Sequence, residues 1–206
     1  MNIITQAATY VTQLLSQSLP PDIHYHTLLH TQEVVKAARV IGPAEGISTV
    51  DQEILILSAW FHDTGFVKIY HRHEEASVSL VYAFLAEQHY DPHNIERIAQ
   101  CIIATRMPQT PHNLLEMVLC DADLYHLSQL CYWERNERLR RELEQCFGLY
   151  YSENDWLSKN LAFLNKHRYF SSYGKTVLEA GKQQHIYENR IRLAQLSPST
   201  NDTGKR

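Results

Sequence analysis

An almost uninterrupted run of apolar residues, Ile54 to Phe61, restricts the fold of this chain more than any other sequence feature. A helix with apolar side chains on every face must be surrounded by other elements, because no face of it meets water without a free-energy cost. The run is followed by the sequence His-Asp-Thr-Gly at 62–65, where Gly65 suits the position after a helix C-terminus. We therefore expect a central core helix with a histidine and an aspartate at its end.

Apolar residues also recur every three or four positions along most of the remaining chain, which is typical of amphipathic helices. Gly42-Pro43 is expected to stop the second of these helices. Seven glycines and seven prolines in 206 residues are too few for a collagen-like, low-complexity or turn-rich all-β protein. The sequence thus predicts an all-α bundle of about eight or nine helices, approximately at 2–18, 29–41, 51–61, 74–87, 92–103, 114–126, 133–147, 155–167 and 175–196.

The chain length favours one domain, or one domain with a small appendage. We expect a core over 1–130, a C-terminal helical appendage packed on it over 131–197, and a disordered tail over 198–206. Charges of both signs alternate along the segment 133–147. This pattern predicts a solvated helix with ion pairs four residues apart rather than a nucleic-acid-binding patch.

Charge and composition exclude several classes of protein. The chain has 19 basic and 23 acidic residues, so no basic excess points to nucleic acid. The longest apolar run is far too short to cross a membrane, and residues 1–18 do not resemble a signal peptide. The four cysteines form no C-x-x-C pair and are expected to be reduced thiols. A cytoplasmic protein is the expectation.

Acidic residues next to apolar helices are the first candidates for a site. Asp63 follows a core helix, and a buried carboxylate needs a compensating charge, which a metal ion supplies. Imidazole and carboxylate together suit zinc, manganese or iron. Alternatively, Asp63 binds a backbone amide or an arginine and His62 only packs. Asp121 and Asp123 point about 200° apart on a helix, so both cannot face one ion from the same side.

Four segments, taken in order, resemble the HD-domain superfamily of metal-dependent phosphohydrolases. The sequence YHTLLHT at 25–31 resembles the Y-H-x-x-x-H-T block, and AWFHDTGF at 59–66 resembles A-x-x-H-D-x-G. The sequence HEEAS at 73–77 resembles the H-E-x-x-S element of a small stand-alone branch, and DADL at 121–124 resembles D-A-D-L. The resemblance runs from about Tyr25 to Leu127 and implies an HD-domain-like helical bundle with a metal-binding catalytic core.

The resemblance also implies a metal site. Asp123 corresponds to the second acid of D-A-D, whereas Asp121 and His26 are expected to orient ligands through hydrogen bonds. Residues 103–106 lack the histidine pair of the two-metal branches, so one divalent ion (Mn, Co, Zn, Fe, Ni or Mg) is expected. The implied ligands are His30, His62, Asp63 and Asp123.

The implied activity is cleavage of a small phosphate ester, most plausibly a nucleotide, by metal-bound hydroxide. Asp63 is the implied acceptor of the water's proton, and His73 is a candidate donor to the leaving oxygen. Candidate phosphate-binding residues are Lys68, Arg72 and Arg106. From the residues alone, these three cations could equally be solvated loop charges, and His73 could be a surface histidine.

Three other functions stay open at this level. The first is a non-catalytic regulatory module that keeps the metal and binds a nucleotide or a protein. The second is a metal oxygenase on the same scaffold, which would need a pair of irons. The third is a helical scaffold without metal. The sequence is compatible with a dimer and does not identify the oligomeric state.

Overall fold

The computed structural model describes residues 2–196 and is built of nine α-helices, with no β-strand in that range. Two 3-10 turns and one π-helical turn, Thr64–Val67, Tyr125–Ser128 and Gly174–Leu178, join some of them. The all-α prediction is confirmed, whereas the predicted tail at 198–206 lies outside the described residues. The helices are α1 (Ile3–Ser18), α2 (Leu28–Ala44), α3 (Thr49–Phe61), α4 (His73–Glu87), α5 (Pro92–Ala104), α6 (Leu114–Asp123), α7 (Tyr132–Phe147), α8 (Glu153–Lys166) and α9 (Glu179–Leu196).

Helix α3 is the central helix, as its sequence predicts. Every residue from Ile54 to Phe61 is buried, and α3 contacts α1, α2, α4, α5 and α6. The Ser48 side chain accepts a hydrogen bond from the Asp51 N–H and caps the first turn. Burial on all sides fixes the direction of α3, so its C-terminal end delivers His62 and Asp63 to one defined point inside the bundle.

The prediction that Gly65 directly follows the C-terminus of the central helix is wrong, because α3 ends at Phe61. Among the described glycines only Gly46 and Gly148 have positive φ, and Gly65 lies inside the 3-10 turn. Its lack of a side chain serves close packing instead, because a Cβ there would lie 1.9 Å from the backbone oxygen of His73. Gly65 therefore allows the turn after α3 to touch the start of α4.

Helix α2 ends at Ala44, one residue after the expected stop at Gly42-Pro43. Proline lacks the N–H that would bond the carbonyl four residues earlier. That carbonyl belongs to Arg39, which is exposed, so water can satisfy it. The cost of the missing hydrogen bond is small at this helix end.

The C-terminal helices pack on the core through two hydrophobic clusters. Helix α8 packs on α9, and α9 contacts the turn Tyr125–Ser128. Tyr169 and Leu178 belong to the main core cluster rather than to the smaller one. Buried contacts thus cross the expected boundary at residue 130, and the division into two parts stays a prediction. The smaller cluster consists of Leu124, Leu127, Tyr132, Leu164 and Ile186.

Helix α7 is only partly the solvated helix that its charges predict. Arg138 pairs with Glu134 at 2.7 Å, four residues apart, as expected. Arg135 and Glu142, however, are buried. Arg135 pairs with Glu33 of α2, so this face of α7 is an interface with the core.

Two further features bear on the sequence predictions. No helix within residues 2–196 has the length and apolar character needed to cross a membrane. All four cysteines are free thiols, with Cys101 and Cys120 buried.

Candidate metal centre

Three helices that pack against one another bring the four predicted ligands together. His30 lies in the first turn of α2, His62 and Asp63 follow α3, and Asp123 is the last residue of α6. Helices α2, α3 and α6 contact each other in the core. Residues separated by about ninety positions in the chain are therefore neighbours in the folded protein.

The ligand atoms of these side chains face one another. His30 Nε2 lies 3.1 Å from Asp123 Oδ1, 3.3 Å from Asp63 Oδ2 and 3.4 Å from His62 Nε2. His62 Nε2 lies 3.1 Å from Asp63 Oδ2 and 3.5 Å from Asp123 Oδ1. The ligand atoms of His30, His62 and Asp123 all lie within 4.8 Å of each other, as in a group that could hold a metal ion.

Hydrogen bonds orient two of the ligands. The Nδ1–H of His62 donates to the Ala59 carbonyl at 2.9 Å, so Nε2 is the nitrogen that faces the cluster. The Gln109 amide donates to Asp123 Oδ2 at 3.2 Å, which turns Oδ1 towards the histidines. Such outer contacts fix the tautomer and the direction of metal ligands.

The electrostatics of the cluster reflect two buried acids beside two buried imidazoles. Burial alone lowers the pKa of His30, but its hydrogen bond to Asp123 and the negative charges of Asp123 and Asp63 outweigh burial and raise that pKa to about 9. Burial also lowers the pKa of His62, and the same carboxylates outweigh burial and raise that pKa. Burial opposes ionisation of Asp63, yet the histidines hold its pKa well below the ordinary value. The cluster thus favours ionised carboxylates that need positive charge beside them.

One orphaned atom shows that this donor set fits a metal ion. Asp63 Oδ2 is buried and has no hydrogen-bond partner among the described residues, although two imidazole nitrogens lie close to it. Leaving such an oxygen unpaired is costly, and a divalent cation would satisfy it. Imidazole nitrogens with carboxylate oxygens suit Mn, Fe, Co, Ni or Zn.

Comparison with known proteins agrees with this geometry. Residues 27–128 match the HD domain, a segment that contains all four predicted ligands. This chain belongs to the HD-domain superfamily.

Two solved structures have the same fold as this HD-domain chain. One is YpgQ of Bacillus subtilis in complex with ADP, with a TM-score of 0.67 and 20% identity over 95% of this chain and 98% of YpgQ. The other is a predicted HD superfamily hydrolase from an uncultured Thermotogales bacterium, with a TM-score of 0.62 and 15% identity over 93% of this chain and 91% of that one. Among curated proteins, none matches this chain.

His73 lies beside the HD-domain centre without joining the cluster. It begins α4, and its Nε2 lies 3.3 Å from Asp63 Oδ1, the oxygen that faces away from His30 and His62. Its Nδ1–H donates to the Tyr70 carbonyl at 3.1 Å. Burial lowers the pKa of His73, but Asp63 outweighs burial and raises it above the ordinary value. His73 is therefore positioned to carry a proton next to Asp63.

A cavity of about 320 Å³, here called the phosphate cavity because it contains predicted phosphate-binding residues, opens beside these residues. His26, Asp63, His73, Arg72, Arg106 and Asp123 are among the residues that line it. Two of the three predicted phosphate-binding residues therefore reach it. Lys68 is exposed and does not line it.

The two arginines of the phosphate cavity share an acidic partner. Arg106 Nη2 lies 2.6 Å from Glu75 Oε2, and Arg72 Nε donates to Glu75 Oε1 at 2.9 Å. The Arg106 Nε is buried and makes no hydrogen bond to any described residue. Glu75 thus holds both guanidinium groups at the cavity, and the Arg106 Nε also lies 3.7 Å from Oε2 of the buried Glu74.

Asp121 does not have the surroundings that the sequence prediction gives it. Its carboxylate accepts hydrogen bonds from the N–H groups of Phe170 and Ser171 and from the Ser171 hydroxyl. None of these partners is a predicted metal ligand. The contacts favour a role in anchoring the segment before α9 over a role in orienting a metal ligand. Neighbouring acids of one helix separate in this way because their side chains point to opposite sides.

His26 and Glu142 form a contact that the sequence did not reveal. Glu142 of α7 is buried, and its Oε2 accepts hydrogen bonds from the backbone N–H groups of His24, Tyr25 and His26. Its Oε1 binds His26 Nδ1 at 2.5 Å and accepts the Tyr70 hydroxyl at 2.7 Å. One carboxylate thereby holds both loops that border the phosphate cavity.

Stacked rings connect His26 to His73, which contacts Asp63. The His26 ring stacks on Phe66 with centroids 4.2 Å apart, and Phe66 stacks on His73 at 3.9 Å. Glu142 looks like one of many helix charges in the sequence. The only signal that could have separated it is its position on the apolar side of α7, near Leu139 and Leu143.

Proposed function

We propose that this HD-superfamily hydrolase is a metal-dependent phosphohydrolase that cleaves a small phosphate ester, with nucleotides as the substrate class. The observation that carries the proposal is the position of Asp63. One of its oxygens faces the histidine pair, and the other faces His73 and the phosphate cavity. The binding of ADP to YpgQ, which has the same fold, supports the nucleotide class.

In this proposal His30, His62, Asp63 and Asp123 hold one divalent cation. When bound, such an ion lowers the pKa of a water and neutralises phosphate charge. The protein's own residues then position the substrate and move protons. The missing histidine pair at 103–106 is the reason for one ion rather than two.

Asp63 and His73 divide the proton transfers between them. The water oxygen forms a bond to phosphorus while the bond from phosphorus to the leaving oxygen breaks. Asp63 accepts the proton that the water loses. His73, whose Nδ1–H is engaged by the Tyr70 carbonyl, gives its Nε2 proton to the leaving oxygen.

Arg106 and Arg72 bind the phosphate in this scheme. Their guanidinium groups reach the phosphate cavity and already meet one carboxylate there, that of Glu75. A phosphate oxygen offers the same geometry to a guanidinium fork as a carboxylate oxygen does. Lys68 lies outside the cavity, so we leave it out of the phosphate site.

The test is phosphate release from nucleoside mono-, di- and triphosphates, cyclic nucleotides and simple phosphomonoesters, with Mn²⁺, Mg²⁺, Co²⁺ or Zn²⁺ supplied in turn. The wild type is expected to release phosphate from at least one nucleotide. Asp63→Ala is expected to lose both the bound metal and the activity. Glu137→Ala is the matched control, because it removes an exposed carboxylate far from the site in sequence.

Two outcomes would contradict the proposal. Activity that survives Asp63→Ala would show that the site is assigned wrongly. No release by metal-loaded protein, together with metal-dependent stability and ADP binding, would instead support the non-catalytic binding module.

A further inference from the structure

A second depression adjoins the phosphate cavity on the side of the C-terminal helices. It lies between residues 107–109 and the segment 163–170 at the end of α8, and its volume is about 510 Å³. We propose that this groove, here called the nucleoside groove, binds the base and sugar of the nucleotide while the phosphates occupy the phosphate cavity. This inference rests on the proposed function and adds where the nucleoside lies.

The nucleoside groove is connected to the metal centre by named residues. Met107 is 55% exposed and lines both the groove and the phosphate cavity. Gln109 lines the groove, and its amide donates to Asp123 Oδ2 at 3.2 Å and to the Cys120 carbonyl at 3.3 Å. A ligand with its phosphate beside Asp123 therefore needs to cross only Met107 to reach the groove.

The lining of the groove suits an aromatic base. Phe163 and Phe170 are partly exposed there, so ring surface remains free on both. Nucleobases stack on aromatic side chains irrespective of base identity. The volume also falls in the range of roughly 300–1,000 Å³ that is usual for small-molecule sites.

His167 supplies a polar group with no internal partner. Its Nδ1 lies 3.4 Å from the Nζ of Lys182, and that ammonium can only donate, so the proton of a neutral His167 ring sits on Nε2. Burial and the nearby Lys182 lower the pKa of His167 to about 4, which keeps the ring neutral. Nε2 is buried and has no hydrogen-bond partner among the residues described, so it is an unsatisfied donor on a residue that lines the groove.

The positive charge at the groove complements a phosphorylated ligand. Lys166 is exposed at its edge and forms no ion pair with a described residue. Arg168 donates to the carbonyls of Asn165 and His167, so it stabilises the end of α8. Lys166 is thus free to attract the ligand, and Arg168, whose carbonyl partners do not neutralise it, adds a second positive charge.

A cavity on the other side of the centre is the competing location. It is lined by His30, Lys36, Asp123 and Tyr125, and its volume is about 230 Å³. That volume lies below the usual range for small-molecule sites.

Photolabelling of the wild-type full chain tests the location directly. We would irradiate the Mn²⁺-loaded protein with 8-azidoadenosine diphosphate and map the labelled peptide by mass spectrometry. Label in the segment 163–170, removed by excess ADP, is the expected result. Label in the segment 33–40 of α2 would overturn the proposal, because it would place the base in the competing cavity.

Binding measurements separate this inference from the proposed function. We would determine the Kd of ADP and of pyrophosphate, which lacks the nucleoside, for the wild type and for Phe163→Leu and Phe170→Leu. Leucine keeps the apolar contact and removes the ring. Each variant is expected to weaken ADP binding about tenfold and to leave pyrophosphate binding unchanged.

Lys36→Ala is the control for the competing cavity and is expected to leave both Kd values unchanged. If ADP binds the wild type and neither phenylalanine variant weakens it, the groove assignment is wrong and the proposed function stands. If ADP does not bind the wild type at all, the groove assignment is wrong, and the phosphate-release panel alone decides the nucleotide class.

Discussion

At the scale of single residues, the two oxygens of Asp63 have different surroundings. Oδ2 lies between the imidazoles of His30 and His62, and Oδ1 lies 3.3 Å from His73 Nε2. A single carboxylate can therefore hold a metal ion with one oxygen and contact a proton donor with the other. His73 contacts only the second of these oxygens, so its effect should be separable from metal binding.

Replacement of His73 by glutamine should lower turnover and leave the metal in place. We expect kcat to fall by about 10²–10⁴-fold, the usual contribution of a general acid, because Nε2 is the proton donor in our scheme. The metal content, measured by elemental analysis, should stay at the wild-type value. Loss of metal in this variant would show that His73 is a ligand instead.

The buried Glu142 should make stability depend on pH in acid. Burial raises the pKa of Glu142, but the charge of His26 and the hydrogen bonds from His26, Tyr25 and Tyr70 outweigh burial and lower that pKa to about 2. The ordinary value is 4.5, so the folded state is stabilised above pH about 4.5 and loses this contribution as the pH falls towards 2. The contribution at neutral pH is about 3 kcal/mol.

Chemical denaturation between pH 2 and 7 measures this contribution. Glu142→Gln should lower the free energy of unfolding at pH 7 and flatten the decline between pH 4.5 and 2, relative to the wild type. Glu137→Ala, which changes an exposed acid of the same helix, should keep the wild-type slope. Identical slopes for wild type and Glu142→Gln would contradict the assignment.

At the scale of elements, helix ends rather than helix interiors build the site. His62 and Asp63 follow α3, His73 begins α4, and Asp123 ends α6. The turn after α3 touches the start of α4 at Gly65, where a Cβ would lie 1.9 Å from the His73 oxygen. The position of His73 therefore depends on the absence of a side chain at residue 65.

Gly65→Ala should displace the start of α4. The contact is with backbone oxygen, which cannot rotate away, so we expect a loss of about 1–3 kcal/mol in stability. If His73 shifts by about 1 Å, we expect kcat to fall by about a hundredfold. Thermal unfolding and kcat are the measurements.

Gly148→Ala is the matched control for this prediction. Gly148 has φ of 64° and nothing within 4 Å of an added Cβ, so alanine costs only backbone strain there. Its kcat should equal that of the wild type. Equal kcat values for Gly65→Ala and Gly148→Ala would show that Gly65 does not position His73.

At the scale of the whole molecule, the proposed ion would join three helices that come from distant parts of the chain. His30, His62 and Asp123 reach it from α2, α3 and α6. A ligand that binds only the folded state stabilises it by mass action. Metal binding and global stability should therefore change together.

Removal of metal with a chelator should lower Tm, and Mn²⁺ should restore it. At a free concentration 100 times Kd, a bound ion adds about 2.7 kcal/mol, which corresponds to roughly 5–10 °C for a chain of this size. His30→Ala should abolish the Mn²⁺-dependent shift, whereas His93→Ala, at an exposed position, should retain it. A full shift in His30→Ala would mean that the ion binds elsewhere.

The sequence by itself determined the helical class, the central position of α3 and the candidate ligands. Hydrophobic periodicity and an all-apolar run are local properties of the chain, so they can be recognised without a structure. The HD family could also be recognised from the sequence, because its motifs are short and lie in a fixed order. The same reasoning misplaced Gly65, since φ and close packing are not encoded by residue type alone.

Only the tertiary structure decided which charged residues serve the site. Asp121 and Asp123 are two residues apart, yet one binds the segment before α9 and the other faces His30. Glu142 looks solvated in the sequence and is buried against the loop of His26. The physical reason is that the fate of a charge depends on the desolvation and the partners that packing imposes, and those partners lie up to 118 residues away.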